Sequence, residues 1–287
     1  MSAVFRHELR SYFHSLTAYV FGAFLLAVIG IGAMFYNLEA AVSNFEFVLS
    51  FASIIFMVIV PILTMRTLAE ERRQRTDQLL YSLPITTTQV VLGKYLALLV
   101  VYLIPLAVIS LYPLLFSQFG DVYLPASYGS LFAFFLMGAA LLAVGMFLSS
   151  LTDNQGFAAG IGVAAILLNY YSVSLAEYTS STAMGSLIAL YVIALLLGVV
   201  IHNLTRNENL AYGVTLVLIA ALSVAYFVNS SAFEGLLPDI MTKLSLFRQF
   251  NSFVNGAFDL TAIVYYVSVM GFFLFLSVQS MEKRRYN

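Results

Sequence analysis

The sequence predicts an all-α polytopic membrane protein of about eight transmembrane helices, and three observations predict it. First, 61% of the 287 residues are hydrophobic and only 9% are charged, against roughly 25% charged residues in soluble domains. Second, the apolar residues gather in long runs at Thr17–Asn37, Phe47–Met65, Val90–Phe116, Tyr128–Ser150, Gly156–Leu175, Gly185–Ile201, Leu210–Val228 and Thr261–Met281. Most reach the roughly 20 residues that a helix needs to cross a hydrocarbon core of about 30 Å. Third, the runs lack the two-residue alternation of barrel strands. Helices are then the remaining way to satisfy every backbone N–H and C=O inside lipid.

Ser2–Leu16 comes before the first run. At helical spacing Phe5, Leu9, Tyr12, Phe13 and Leu16 share one face, and Arg6, His7, Arg10 and His14 lie largely elsewhere. That pattern suits a helix lying in the membrane interface over residues 1–16; the plainer alternative is a wet extension of the first span. Met1–Ser15 does not read as a cleavable signal, so the first span is expected to direct insertion. Tyrosines at run ends (Tyr19, Tyr36, Tyr112, Tyr128, Tyr265) can form the interfacial belt that the absent tryptophan would otherwise supply.

The segment at residues 66–93, RTLAEERRQRTDQLLYSLPITTTQVVLG, follows the second run. Its first half reads as a charged helix, with Glu71 and Arg75 at the favourable i,i+4 spacing. Leu79, Leu80, Tyr81 and Leu83 make an apolar patch, and Pro84 stops the helix. One of Thr86, Thr87 and Thr88 then caps the next helix. A solvated connector is one reading. About 25 residues is long for a connector, however, and apolar side chains in a charged helix suit a protein-docking surface. The short SSLTDNQ stretch, Ser149–Gln155, can end one helix and cap the next, as a plain turn or as a second contact. Gly156, Gly160 and Ala164 recur every fourth residue, a small-residue stripe that fits either packing within the chain or dimerisation.

The runs hold almost no ionisable residue away from their ends, which argues against an ion-coupled secondary transporter. Lys94 and His202, at run boundaries, are expected to snorkel. There is no cysteine, so disulfide, thiolate and cysteine–metal chemistry are excluded. Gly93-Lys94 lacks a glycine at position 88, which is threonine, so no phosphate-binding loop is present. If ATP drives transport, the ATPase is a separate chain. No catalytic or metal site is expected.

Orientation follows the basic residues. Eight spans put both termini on one side, together with Arg6, Arg10, Arg66, Arg72, Arg73, Arg75, Lys94, Arg206, Lys283, Arg284 and Arg285. Of the 13 basic residues, only Lys243 and Arg248 fall on the other side. Both termini are therefore expected to be cytoplasmic, and residues 230–260 external. A non-transporting membrane scaffold remains compatible with these features.

The amphipathic start, a pair of spans, AEERRQRTDQLLYSLPITTTQVVLGKYLA and then SSLTDNQ together resemble the exporter-type permeases of type 2 ABC transporters. The stretch LFRQFNSFVNGAFDLTAIVYYVSVMGFFLFLSVQSMEKRRY is similar to the gliding-motility-associated branch of that family. The resemblance implies a six-helix permease core, to which Gly185–Val228 adds a pair. It also implies a plasma (inner) membrane location and a dimer with a second permease copy or paralogue. A cytoplasmic ATP-binding subunit would hold ATP and Mg²⁺, with no cofactor in this chain and no nucleic-acid partner. On that pattern Glu70, Glu71, Arg72, Arg75, Gln78, Leu79, Leu80, Tyr81 and Leu83 belong to a coupling helix that touches the ATPase. Thr152, Asp153 and Asn154 make a smaller second contact. The external segment, apolar through Phe233, Leu236, Leu237, Leu244, Leu246, Phe247, Phe250 and Phe253, would close the outer end of a pathway for an amphiphilic or lipid-like cargo.

Overall fold

A computed structural model describes residues 1–74, 85–205 and 208–285. The described residues form helices and no strand: an all-α polytopic membrane protein. The chain divides into two compact units, Met1–Tyr170 with Gln249–Asn287, and Tyr171–Arg248.

The first unit opens with α1 (Ser2–His14), which ends because Ser15 is extended at φ −94° and ψ 159°. The Ser15 hydroxyl donates to Tyr12 O at 3.1 Å. That break makes α1 a helix of its own rather than the first turns of α2 (Leu16–Ala33). After α2 a π-helical stretch, Met34–Glu39, widens the turn, and Ala41 at φ 53° reverses the chain. α3 (Phe45–Ser53) and α4 (Phe56–Thr64) are bent by 58° across a short break. At the break the backbone tightens to three-residue turns, with Ile55 N donating to Ala52 O, Met57 N to Ile54 O and Val58 N to Ile55 O. Pro61 in the next turn has no N–H to donate. The short α5 (Ala69–Gln74) follows, and then α6 (Thr87–Ile109) with its extension α7 (Leu111–Phe116).

At the centre of this unit lies α8 (Leu124–Ser149). Its small residues let neighbours approach closely. A Cβ at Gly138 would come 2.5 Å from the Tyr102 hydroxyl, which donates to Phe134 O at 2.8 Å. Tyr95 donates likewise to Ala139 O at 3.0 Å. Leu25, Leu49, Phe56, Phe134 and Tyr266 complete the buried core. α9 (Gln155–Tyr178) begins here, and the last helix, α14 (Leu260–Arg285), returns to it.

In the second unit α10 (Ala183–Thr205) and α11 (Glu208–Val228) form a hairpin. Gly198 faces Thr215, and the Tyr191 and Ser223 hydroxyls are bonded at 2.8 Å. A 3₁₀ turn (Ser230–Phe233) and α12 (Leu236–Lys243) follow. Gly235, at φ 68°, donates its N–H to Ser181 O at 2.8 Å. α13 (Leu246–Val254) leads back to the first unit.

Each of the eight apolar runs lies largely in helix; among the described residues six helices are long and apolar enough to span, and the bent α3/α4 pair makes a seventh. The Gly185–Ile201 run lies in α10, Ala183–Thr205, of which Ala183–Val199 counts as apolar helix among the described residues. Among the described residues the chain thus carries six or seven candidate spans, consistent with the expected all-α polytopic class.

Candidate functional site

The charged end of the first unit carries a continuous polar layer, built where α6 begins. Thr86 caps α6 by accepting from Gln89 N at 3.2 Å. One turn later Gly93 offers α1 a bare backbone: a Cβ there would lie 3.1 Å from the Val4 side chain and 3.3 Å from Phe5 N. This close crossing brings Glu8 of α1 over Lys94. The ammonium sits 2.7 Å from Glu8 Oε1 and 2.7 Å from Glu71 Oε1 of α5.

Lys94 is only 2% exposed. The expected snorkelling side chain is instead a buried cation between two carboxylates. Removing a charge from water costs several kcal/mol, and opposite charges in hydrogen-bonding geometry offset it. Glu71 was expected to pair with Arg75, which lies outside the described residues; among the described residues it meets Lys94. Tyr12, one turn along α1 from Glu8, is buried as well. Burial pushes its hydroxyl well above the usual tyrosine range, and the Glu8 carboxylate pushes it further in the same direction.

A second group of bonds fastens α5 to the end of α8. The Ser149 hydroxyl accepts from Leu68 N at 3.3 Å and Ala69 N at 3.1 Å, and donates to Met65 O at 3.1 Å. Arg72 donates to Ser150 O, which also accepts from the Ser280 hydroxyl at 3.1 Å. Thr87 donates to Glu282 Oε1 at 2.8 Å, so the end of α14 joins the same layer. Arg66 bridges Glu70 at 3.1 Å and donates to Thr17 at 2.9 Å, which ties in α2.

Two separate sequence expectations therefore converge: the charged segment and SSLTDNQ meet through Ala69–Ser149 and Arg72–Ser150. Of the expected contact residues, Glu70, Glu71 and Arg72 stand on α5, whereas Arg75, Gln78, Leu79, Leu80, Tyr81 and Leu83 lie outside the described residues. Asp153 and Asn154 are exposed and Thr152 is half-buried. Asn154 Oδ1 caps α9 by accepting from Gly156 N at 2.9 Å and Phe157 N at 3.3 Å. Gly156, Gly160 and Ala164 are exposed. The close packing of α9 falls instead on Gly162, whose Cβ position is 3.1 Å from Pro61.

Sequence reading passed over Glu8, Ser280 and Glu282. For Glu8 there was a signal: it precedes Tyr12 by four residues, so the one acidic residue of α1 stands beside the apolar face rather than opposite it. Among the described residues no group of three or more His, Asp or Glu is placed to hold a metal ion. What the arrangement provides is mechanical: six helical elements fixed to one another by charge and hydrogen bonds at one end of the bundle.

Residues 36–176 match the family described as ABC-2 family transporter protein. The matched segment holds Glu71, Lys94, Ser149 and SSLTDNQ, and leaves out Glu8 and Glu282. The match covers 141 of the 287 residues, just under half, and makes that segment similar to the membrane domain of ABC-2 transporters; it gives no support to the narrower gliding-motility-associated branch. No curated protein and no solved structure matches the chain.

Proposed function

We propose that the chain, with its ABC-2 permease segment, is the membrane-spanning subunit of an ATP-driven exporter. A separate cytoplasmic subunit would bind ATP and Mg²⁺ and dock on Glu70–Leu83 and SSLTDNQ. The observation that carries this reading is the fastening of these two segments to each other at Ser149 and Ser150. A partner that presses on either one moves both.

The polar layer supplies the path. Displacement of α5 reaches α8 through Ser149, α6 and α1 through Lys94, and α14 through Ser150. A partner can drive such a change only if it contacts the two arrangements differently. On this reading both termini are cytoplasmic in the plasma membrane, residues 230–260 are external, and the cargo is amphiphilic or lipid-like. The exposed face of α9 with Gly156, Gly160 and Ala164 meets a second permease copy.

The test is Leu80→Asp in full-length protein purified with its native partners. An aspartate forced into an apolar contact is strongly unfavourable. The membrane-inserted variant should lose its ATP-hydrolysing partner, while Glu70→Gln, in a half-exposed surface pair, keeps it. Normal co-purification and turnover of Leu80→Asp would overturn the docking assignment.

A further inference from the structure

We propose that the groove between α1, α6 and α8 binds an anionic phospholipid, with an acyl chain along α6 and the phosphate on α1. The inference is independent of the ATPase partner. The groove has a volume of about 780 Å³ and is lined by Met1, Ser2 and Phe5 of α1, Leu96, Leu99, Val100 and Leu103 of α6, and Phe135 of α8. That volume falls in the range of roughly 300–1,000 Å³ usual for small-molecule sites.

Its polarity selects the occupant. The α6 residues at 96, 99, 100 and 103 form one helical face. It starts just past Gly93, where α1 crosses, and runs about 10 Å along a spanning helix. The groove thus leads from the polar layer toward the hydrocarbon, and Leu103 at its far end is 50% exposed. At the near end, Ser2 shares an i,i+4 stripe with Arg6 and Arg10. Both arginines are exposed, and neither is in an ion pair among the described residues. Glu8, the one acidic residue of α1, is turned inward onto Lys94, which leaves the outer face of α1 basic without internal neutralisation. An apolar slot running inward from a basic stripe matches a phospholipid of negative headgroup; a purely apolar partner would leave the arginines without a counter-charge.

Full-length protein in mild detergent is titrated with phosphatidylglycerol or phosphatidylcholine bearing the same acyl chains, and bound lipid is counted by native mass spectrometry. The unaltered protein should bind phosphatidylglycerol roughly tenfold more tightly or better, as expected for two arginines at an anionic headgroup. Arg6→Gln with Arg10→Gln should erase that preference and leave phosphatidylcholine binding as it was. Leu99→Trp, which fills the slot, should weaken both lipids alike; if thermal unfolding shows that it does not fold, Leu103→Trp at the exposed end replaces it. Equal affinity of the unaltered protein for the two lipids, a preference that survives loss of both arginines, or lipid binding untouched by the tryptophan overturns the proposal. Leu103→Cys can be introduced without interference, because the chain has no cysteine. A disulfide between two copies at that position would place a second subunit in the groove, and that result also overturns the proposal.

Discussion

Lys94 and Glu46 are both buried charges in the first unit, each 2% exposed, and they are housed in opposite ways. Lys94, near the start of α6, has two carboxylates at 2.7 Å. Glu46, in the first turn of α3, has one oxygen bonded to the Ser127 hydroxyl at 3.0 Å. Its other oxygen is buried without a hydrogen-bond partner among the described residues. The two sites stand at opposite ends of α8, since Ser127 and Ser149 are separated by about 33 Å of helix. One end is a charge-compensated weld of several helices. The other holds a carboxylate on a single hydroxyl. Burial alone therefore says little about what a charge contributes; the number and sign of its partners decide it.

Lys94→Met breaks the welded end and carries the largest expected effect. Removing one member of a buried ion pair costs roughly 3–5 kcal/mol, because the remaining charge stays behind without compensation. Here two carboxylates, Glu8 and Glu71, would be left facing each other. Equilibrium unfolding in detergent should show that loss. The triple variant Glu8→Gln, Lys94→Met, Glu71→Gln should recover most of it, since no charge is then stranded. A Lys94→Met protein as stable as the unaltered one would show that the triad contributes no net stabilisation.

Glu46→Gln tests the other end and should give the opposite sign. The substitution removes a desolvated charge, keeps the shape, and leaves a carbonyl oxygen for Ser127 to bond. Stability should stay equal or rise, because the desolvation cost of the charge is removed while the amide NH2 in place of the second oxygen remains one buried polar group to satisfy. A drop comparable with that of Lys94→Met would mean that Glu46 is compensated as fully as Lys94, and the contrast between the ends would fail.

Much of the architecture was legible because it rests on local signals. Hydropathy located the runs, and threonine chemistry narrowed the α6 cap to Thr86, Thr87 or Thr88, of which Thr86 makes it. The 58° bend between α3 and α4 was not legible: no glycine or proline stands at Ile54–Ile55, and the break lies inside one uninterrupted apolar run. At the candidate site the charged segment and SSLTDNQ were recognised separately, by composition. Their joining at Ser149 and Ser150 is long-range. Lys94 was misread for the same reason: a lysine at a run boundary ordinarily reaches water. Nothing local reveals that Gly93 admits α1 closely enough for Glu8, 86 positions earlier in the chain, to reach it.

The smallest expected effect belongs to Arg66 and Glu70, which sharpen the comparison within the charged end itself. This pair likewise joins a basic side chain to a glutamate, at 3.1 Å, but its side chains are 39% and 31% exposed. Water screens such a pair, and holding two long side chains in one geometry costs entropy, so i,i+4 pairs on helix surfaces contribute about 0.3–0.5 kcal/mol. Arg66→Gln should cost more than Glu70→Gln, because it also removes the bond to Thr17 that ties α5's flank to α2. A double-mutant cycle separates these contributions: the coupling between Arg66 and Glu70 should stay below about 1 kcal/mol and shrink further as salt is added. The corresponding Lys94–Glu71 cycle should give a coupling several times larger with little salt dependence. If the two cycles give equal couplings, burial is not what separates these ion pairs.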